Sequence, residues 1–331
     1  MGVSPVKLVV RTVATVFVVA LGLAAARVHP GPATLPATAA AQPPLSSARV
    51  PAVGWFHPDW FPEAPDLDAV ASMDAHGPER GPSLRSRSAF VYDLDAGEVL
   101  FEKNADVVRP VASITKLVAS LALVSVDPDL DATFCIGAEQ YPTRSGARSR
   151  LSTGDCLAGW DVLGAALVAS DNRAAYGLAA AGGLGVDAFI QRMNEVSADL
   201  GMDHSTWTDP SGLEDDNLSS ARDIARATVA VALHPVLSTV ASAPFWDLHR
   251  DNRSQARRLF STDRMAGRED LEILAAKTGY TDTARYCFST LLRAPSGRRV
   301  VVTLLGADGK LTRWAEWTAS CGGWRVRLGR W

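Results

Sequence analysis

Lysine is nearly missing from this sequence. Of 33 basic residues in a chain of 331, 28 are arginine and only five are lysine: Lys7, Lys103, Lys116, Lys277 and Lys310. Arginine keeps its proton in proteins, whereas a desolvated lysine can lose it and serve as a base. A lysine retained against this background is a candidate for chemistry that needs a movable proton. Other absences narrow the field. No C-x-x-C pair occurs, and none of the six histidines has a spacing such as H-E-x-x-H, so the sequence signals for a zinc site are missing. There is no G-x-S-x-G nucleophile elbow. No basic stripe dominates any segment, and a net charge of −3 argues against a nucleic-acid partner.

What is present begins with an N-terminal signature. Lys7 and Arg11 precede "TVATVFVVALGLAAA" (12–26), an uncharged run of 15 residues ending in small side chains. The run is short for a spanning helix, which needs roughly 20 apolar residues. Residues 1–27 therefore read as an export signal, with an uncleaved membrane anchor as the rival, and both readings put the body of the protein outside the cytoplasm. Residues 28–87 are rich in Pro, Ala and Ser and read as a linker. "GWFHPDWFP" (54–62) interrupts it with an aromatic cluster, read as a tether against the domain. Four cysteines, Cys135, Cys156, Cys287 and Cys321, are compatible with an oxidising compartment. Cys135 and Cys156 bracket a short polar stretch and are the candidate disulfide, while Cys287 lies in an apolar run and reads as core.

The folded domain is expected over 88–331. "AFVYDLDAGEVLFEK" holds two strand-like runs about Asp95-Ala96-Gly97, a hairpin signal. After Pro110, Ile114, Leu117, Val118, Leu121 and Val124 recur at helical spacing, with Ser113, Lys116 and Ser120 on a different face. Residues 159–235 read as mainly helical, broken at "AGGLG" (181–185) and "TDPSGLEDDN" (208–217). A polar stretch (247–272) follows. Strand patterns then return in "EILAAKTGY", "ARYCFSTLL" and "RRVVVTLLG", and a last helix is expected around 310–320. Strands at both ends with helices between them predict an α+β fold: one antiparallel sheet made of N- and C-terminal pieces, with a mainly helical insertion.

Three short motifs carry the chemistry. Ser113-Ile-Thr-Lys116 is an S-x-x-K sequence, and residues three apart on a helix are neighbours, so the amine can reach the hydroxyl. Alone it is weak, because Ser4-Pro-Val-Lys7 repeats the pattern inside the export segment. Ser170-Asp171-Asn172 taken singly is a helix cap. Lys277-Thr278-Gly279 taken singly is a strand end, with the glycine marking a bulge or turn. Together and in this order, S-x-x-K, S-D-N and K-T-G form the motif set of penicillin-recognising serine enzymes. Two of the five lysines fall inside it.

From about Ser88 onward the chain resembles the low-molecular-mass penicillin-binding proteins, the D-alanyl-D-alanine peptidases. "VYDLDAGEVLFEKNADVVRPVASITKL", "LGMDHSTWTDPSGLEDDNLSSARDIA" and "KTGYTDTARYCFS" all support the likeness. The resemblance implies the penicillin-binding, β-lactamase-like transpeptidase fold. It implies Ser113 as the acylated nucleophile, Lys116 as its base and Ser170 as a relay to the leaving amine. Asn172 and Thr278 would hold the substrate, Lys277 would face its carboxylate and steady Ser170, and Gly279 would let the strand edge approach. The backbone N–H groups of Ser113 and Tyr280 would form the oxyanion hole. Neither metal nor organic cofactor is implied. The substrate would be a peptidoglycan stem peptide lying along the strand, with β-lactams as covalent inhibitors, and the protein would act as a monomer in the periplasm or wider cell envelope.

"SDNRAA" looks like the endopeptidase branch, which cuts D-Ala–meso-diaminopimelate cross-links, and carboxypeptidases more often show S-x-N-D-A. The 52 residues after Gly279 leave no room for the extra β-rich domain that carboxypeptidases commonly carry. The alternatives are a carboxypeptidase that removes the terminal D-Ala and, further off, a class A-like β-lactamase. The latter needs a carboxylate for its deacylating water, and Glu214, Asp215 and Asp216 lie in roughly that region.

Overall fold

The computed structural model describes residues 83–137, 149–294 and 296–312, together with Met73, Gly77, Trp314 and Glu316. The expected export segment, most of the expected linker with its aromatic cluster, Cys321 and most of the expected last helix lie outside the described residues. Alternating apolar runs build the central sheet. Strands β1 (Ser88–Asp93) and β2 (Glu98–Lys103) form the expected hairpin, and the Asp93 carboxylate accepts the amides of Asp95 and Ala96, both at 3.0 Å, inside its turn.

β9 (Glu272–Thr281), β10 (Arg285–Arg293) and β11 (Arg299–Ala307) complete an antiparallel sheet of order β2-β1-β11-β10-β9. N- and C-terminal pieces thus share one sheet, as the strand pattern predicts. Both faces are covered. Phe90 and Tyr92 of β1 point into the larger core, whereas Ala89 and Val91 join Leu100, Phe288, Leu304 and Trp314 on the other face. This two-sided burial is why β1 reads as nearly continuous apolar sequence.

The larger core lies between the sheet and six helices. These are α1 (Thr115–Val124), α2 (Gly159–Leu167), α3 (Asn172–Ala181), α4 (Val186–Asp199), α5 (Ala221–Leu233) and α6 (Pro235–Ala241). Three two-stranded ribbons fasten the connections. β3 (Arg109–Pro110) pairs with β6 (Leu218–Ser219), β4 (Thr133–Cys135) with β5 (Cys156–Ala158), and β7 (Phe245–Leu248) with β8 (Arg257–Phe260). Cys135 and Cys156 face each other across the β4–β5 ribbon and form the disulfide, while Cys287 is a buried free thiol.

The apolar stripe of α1 is real, and its other face is enclosed as well: all ten residues are buried, Lys116 and Ser120 among them. α2, α3, α4 and α5 surround the helix, so its polar side chains point into protein. Ser113 itself precedes α1, in a 3₁₀ turn over Ala112–Ile114. Burying side chains such as Leu117, Leu121 and Leu123 contributes on the order of 1.5–3 kcal/mol each before entropy, which anchors the turn that follows β3. Met73, ahead of the first strand, is also buried, and its carbonyl accepts from Arg222, which is further held by Glu102 at 2.9 Å and Asp106 at 2.7 Å. No single helix among the described residues is long and apolar enough to cross a membrane.

Candidate active site

The site is built around a short turn. Ala112 takes a left-handed backbone (φ 51°), which is costly for a residue with a Cβ, and the chain then coils through Ser113 into α1. Lys116 is fully buried, and its Nζ has three partners: Ser113 Oγ at 2.9 Å, Asn172 Oδ1 at 2.7 Å and the Ser211 carbonyl at 2.6 Å. An ammonium can donate to all three. A neutral amine has two N–H bonds and one lone pair, so one contact must reverse. The carboxamide oxygen and the backbone carbonyl can only accept, and only the Ser113 hydroxyl can donate. The neutral amine therefore turns its lone pair to Ser113. Burial pulls Lys116 down from its ordinary 10.5 to about 7, with Asp209 and Asp171 pulling the other way. Near neutral pH a large share of the amine is uncharged.

Asn172 reaches Lys116 because Asp171 fixes the start of α3. The Asp171 carboxylate is fully buried and caps the helix, accepting from the amides of Arg173 at 3.0 Å and Ala174 at 3.2 Å. It also accepts from Ser149 Oγ at 2.6 Å and from the Arg150 amide. The cap reading of this motif therefore holds for its middle residue, and the same carboxylate clamps the 149–155 segment beside the site. Ser170, immediately before, is left-handed (φ 57°) and half-buried. Among the described residues no hydrogen bond joins its hydroxyl to either lysine.

The third motif runs along β9, an edge strand of the sheet. Lys277 and Thr278 are buried; Lys277 Nζ donates to the Thr278 carbonyl at 3.1 Å, and Thr278 Oγ1 donates to Thr262 Oγ1 at 2.7 Å. Gly279 is neither a bulge nor a turn: it pairs regularly with Cys287. Its role is close approach. A Cβ there would lie 2.8 Å from the Val111 carbonyl and 3.2 Å from both Ala112 Cβ and the Ile114 nitrogen, so only glycine lets β9 lie on the turn that carries Ser113. Tyr280 is 45% exposed; its hydroxyl donates to Asp282 at 2.8 Å and its ring sits 4.3 Å from that of Tyr286.

The motifs do not account for the segment that supports Lys116 from below. Asp209 is buried, and its carboxylate accepts from the Ser211 amide at 2.6 Å, the Ser211 hydroxyl at 2.5 Å, the Gly212 amide at 2.9 Å and the Glu214 amide at 3.1 Å. That turn aims the Ser211 carbonyl at Lys116. Gly212 is left-handed (φ 75°), and a Cβ on it would stand 2.0 Å from the Ala112 carbonyl oxygen. Asn217 donates to Thr115 Oγ1 at 3.1 Å and to the Asp209 carbonyl at 2.7 Å, and its own carbonyl accepts from the Val111 amide at 3.3 Å. The available signal was the string Asp-Pro-Ser-Gly with Asn five residues after the glycine, whose side chains favour hydrogen-bonded turns. Of the carboxylates considered for a deacylating base, Asp215 accepts from Thr283 at the exposed β9–β10 turn.

Residues 74–309 match the family model described as D-alanyl-D-alanine carboxypeptidase. A D-alanyl-D-alanine endopeptidase of Pseudomonas aeruginosa is 33% identical over 251 residues, covering 75% of this chain and 77% of the relative. The crystal structure of a D-alanyl-D-alanine carboxypeptidase from Mycobacterium tuberculosis is similar with a TM-score of 0.68 at 27% identity, over 76% of this chain and 95% of the other. Penicillin-binding protein D2 of Listeria monocytogenes, solved in its cefotaxime-bound form, is similar with a TM-score of 0.63 at 26% identity, over 73% of this chain and 98% of the other.

Proposed function

This chain belongs to the D-alanyl-D-alanine carboxypeptidase family and is a serine D,D-peptidase, and we propose that Ser113 and Lys116 carry its acyl transfer, with the cross-link of peptidoglycan as the preferred bond. The observation that carries the assignment of roles is the set of partners on Lys116: three contacts, of which only the Ser113 hydroxyl can give up a proton.

In the forward step Ser113 Oγ attacks the D-Ala carbonyl while the neutral Lys116 amine takes the hydroxyl proton. The backbone N–H groups of Ser113 and Tyr280 receive the developing oxyanion. The proton passes through Ser170 to the leaving amine, the C–N bond breaks, and the acyl group stays on Ser113. Water then attacks this ester, Lys116 takes its proton and passes it to Ser113 Oγ as the C–O bond breaks, and the D-Ala carboxylate is released. Asn172 and Thr278 hold the peptide, Lys277 supplies positive charge, and Gly279 keeps β9 close enough for the substrate to add as a further strand. A β-lactam enters the same path and leaves Ser113 acylated.

The preference for the cross-link rests on the "SDNRAA" sequence and on the name of the 33%-identical relative. Arg173 of that string donates to the Leu151 carbonyl at 3.1 Å and so helps fix the wall beside Ser170. A carboxypeptidase reading is favoured by the name of the Mycobacterium tuberculosis structure. Digestion of purified cross-linked wall separates the two. Loss of muropeptide dimers supports the endopeptidase, whereas loss of pentapeptide ends with dimers intact assigns the carboxypeptidase. A fluorescent penicillin tests the nucleophile: the wild type should label and Ser113→Ala should not, and full labelling of that variant would remove Ser113 from its role. The protein works outside the cytoplasm as a monomer, exported by the segment 1–27 or held by it, a setting compatible with the Cys135–Cys156 bond.

A further inference from the structure

All of the β7–β8 hairpin but Phe245 and Trp246 lies in the stretch 247–272 that sequence alone describes only as polar, and no motif accounts for it. Its inner face is ordinary core. Trp246 covers Gly164 and donates to Asp161 Oδ1 at 2.9 Å, and Leu248 and Leu259 are buried. Its outer face is not ordinary. Phe245 and Phe260 stand directly opposite each other in the ladder and are 40% and 70% exposed. Arg258 lies 4.0 Å above the Phe245 ring, held flat by two 2.7 Å bonds to Asp247. The two opposed phenylalanines present a small aromatic patch to solvent.

The two ends of the hairpin fix its relation to the catalytic groups. At the base, Thr262 bonds Val168 through its amide at 3.0 Å and accepts from Thr278 at 2.7 Å. At the tip, Arg250, Asn252, Arg253, Ser254, Gln255 and Arg257 line a pocket of about 550 Å³. The buried Asp155 carboxylate is 3.6 Å from both Arg250 and Arg253, one anion for two guanidiniums, and Arg257 is exposed. The hairpin carries four arginines against two aspartates. The 149–155 segment runs alongside, from Asp171 at the site to Asp155 at the tip. At about 3.3 Å per residue, Arg257 lies roughly 17 Å along the chain from Thr262.

Resting on the peptidase reading above, we propose that this hairpin is a second hold on the peptidoglycan substrate: the Phe245–Phe260 pair on its outer face lies against the sugar rings of a glycan strand, and the exposed arginines at its tip, Arg253 and Arg257, take free carboxylates of a neighbouring stem peptide. Hairpin and substrate are chemically complementary. Peptidoglycan offers apolar C–H faces on its sugars and negative charge on its stems, and the hairpin offers aromatic faces and forked guanidiniums in that order outward from Thr278. A cross-linked substrate extends well past the scissile bond, so it can reach both.

The test measures co-sedimentation of the full chain with purified sacculi, in a Ser113→Ala background, beside the rate of fluorescent-penicillin acylation with Ser113 intact. Arg253→Glu with Arg257→Glu should weaken sacculus binding about five- to tenfold and leave acylation within about twofold. Phe260→Ala should give a smaller loss, and the milder Arg253→Gln with Arg257→Gln guards against misfolding. Unchanged sacculus binding in the charge-reversed and Phe260 variants overturns the proposal. So does a matched loss of acylation, which would reduce the hairpin to a support for Thr278. Should wild-type protein take no penicillin, the role of Ser113 fails, while sacculus binding still reports on the hairpin.

Discussion

On one side of Ser113, Lys116 is closed in beneath the 208–217 segment, where Asp209, Ser211, Gly212 and Asn217 are bonded to one another and to the turn before α1. On the other side, Lys277–Tyr280 belongs to an edge strand, ends in a tyrosine that is 45% exposed, and meets the nucleophile turn through a glycine. The first side sets the protonation of the base by enclosing it. In the proposed reaction the second is where a peptide adds as the next strand. One enzyme needs both, because a desolvated amine and an accessible strand edge cannot be supplied by the same surface.

The largest effect is expected at Lys116, on the enclosed side. Lys116→Arg keeps positive charge but cannot accept a proton, so penicillin acylation should fall by at least ~10²–10⁴-fold; stopped-flow labelling near the wild-type rate would refute the enclosed-base argument. Next comes Gly279→Val, which forces β9 away from Val111 and Ile114. Misplacing the edge by about 1 Å should cost on the order of 10²-fold in acylation, with circular dichroism unchanged.

A smaller and more diagnostic effect is expected at Asp209. Acylation should rise with pH as Lys116 loses its proton, half-maximal near 7. Asp209 and Asp171 oppose the effect of burial. Removing one of these negative charges lowers the pKa of Lys116. Asp209→Asn should therefore move the acid limb to lower pH, with a plateau rate reduced less than about tenfold. A lower plateau with an unmoved limb would leave Asp209 a purely structural role. Least affected should be activity after Cys135→Ser with Cys156→Ser. The β4–β5 ribbon lies beyond the clamped 149–151 contact, so acylation should stay within about twofold, while calorimetry should show about 2–4 kcal/mol of lost stability.

The open side was easier to read in the sequence than the closed one. β9, β10 and β11 are announced by apolar runs with β-branched residues, and the hairpin about Asp95–Gly97 by its turn. Ser113, Lys116 and Asn172 are legible as motifs because side chains that share one function keep short, fixed spacings. The 208–217 segment does its work largely through backbone groups, the Ser211 carbonyl above all, and a carbonyl has no letter in the sequence. The full burial of α1 was also hidden: its stripe pattern reports one apolar face, and only the helices around it bury Lys116 and Ser120 as well. The β7–β8 ribbon escaped because only one of its faces is buried, leaving arginines to dominate the composition.

Ala112, ahead of Ser113 in the chain, and Ser170, ahead of the Asp171 cap, both hold a backbone shape that suits glycine better. Selection for heat resistance alone would be drawn to these two positions, since relaxing either could return on the order of 1 kcal/mol. A variant improved in that way should survive warmer conditions and turn over more slowly. The two properties trade against each other through the backbone at these two residues.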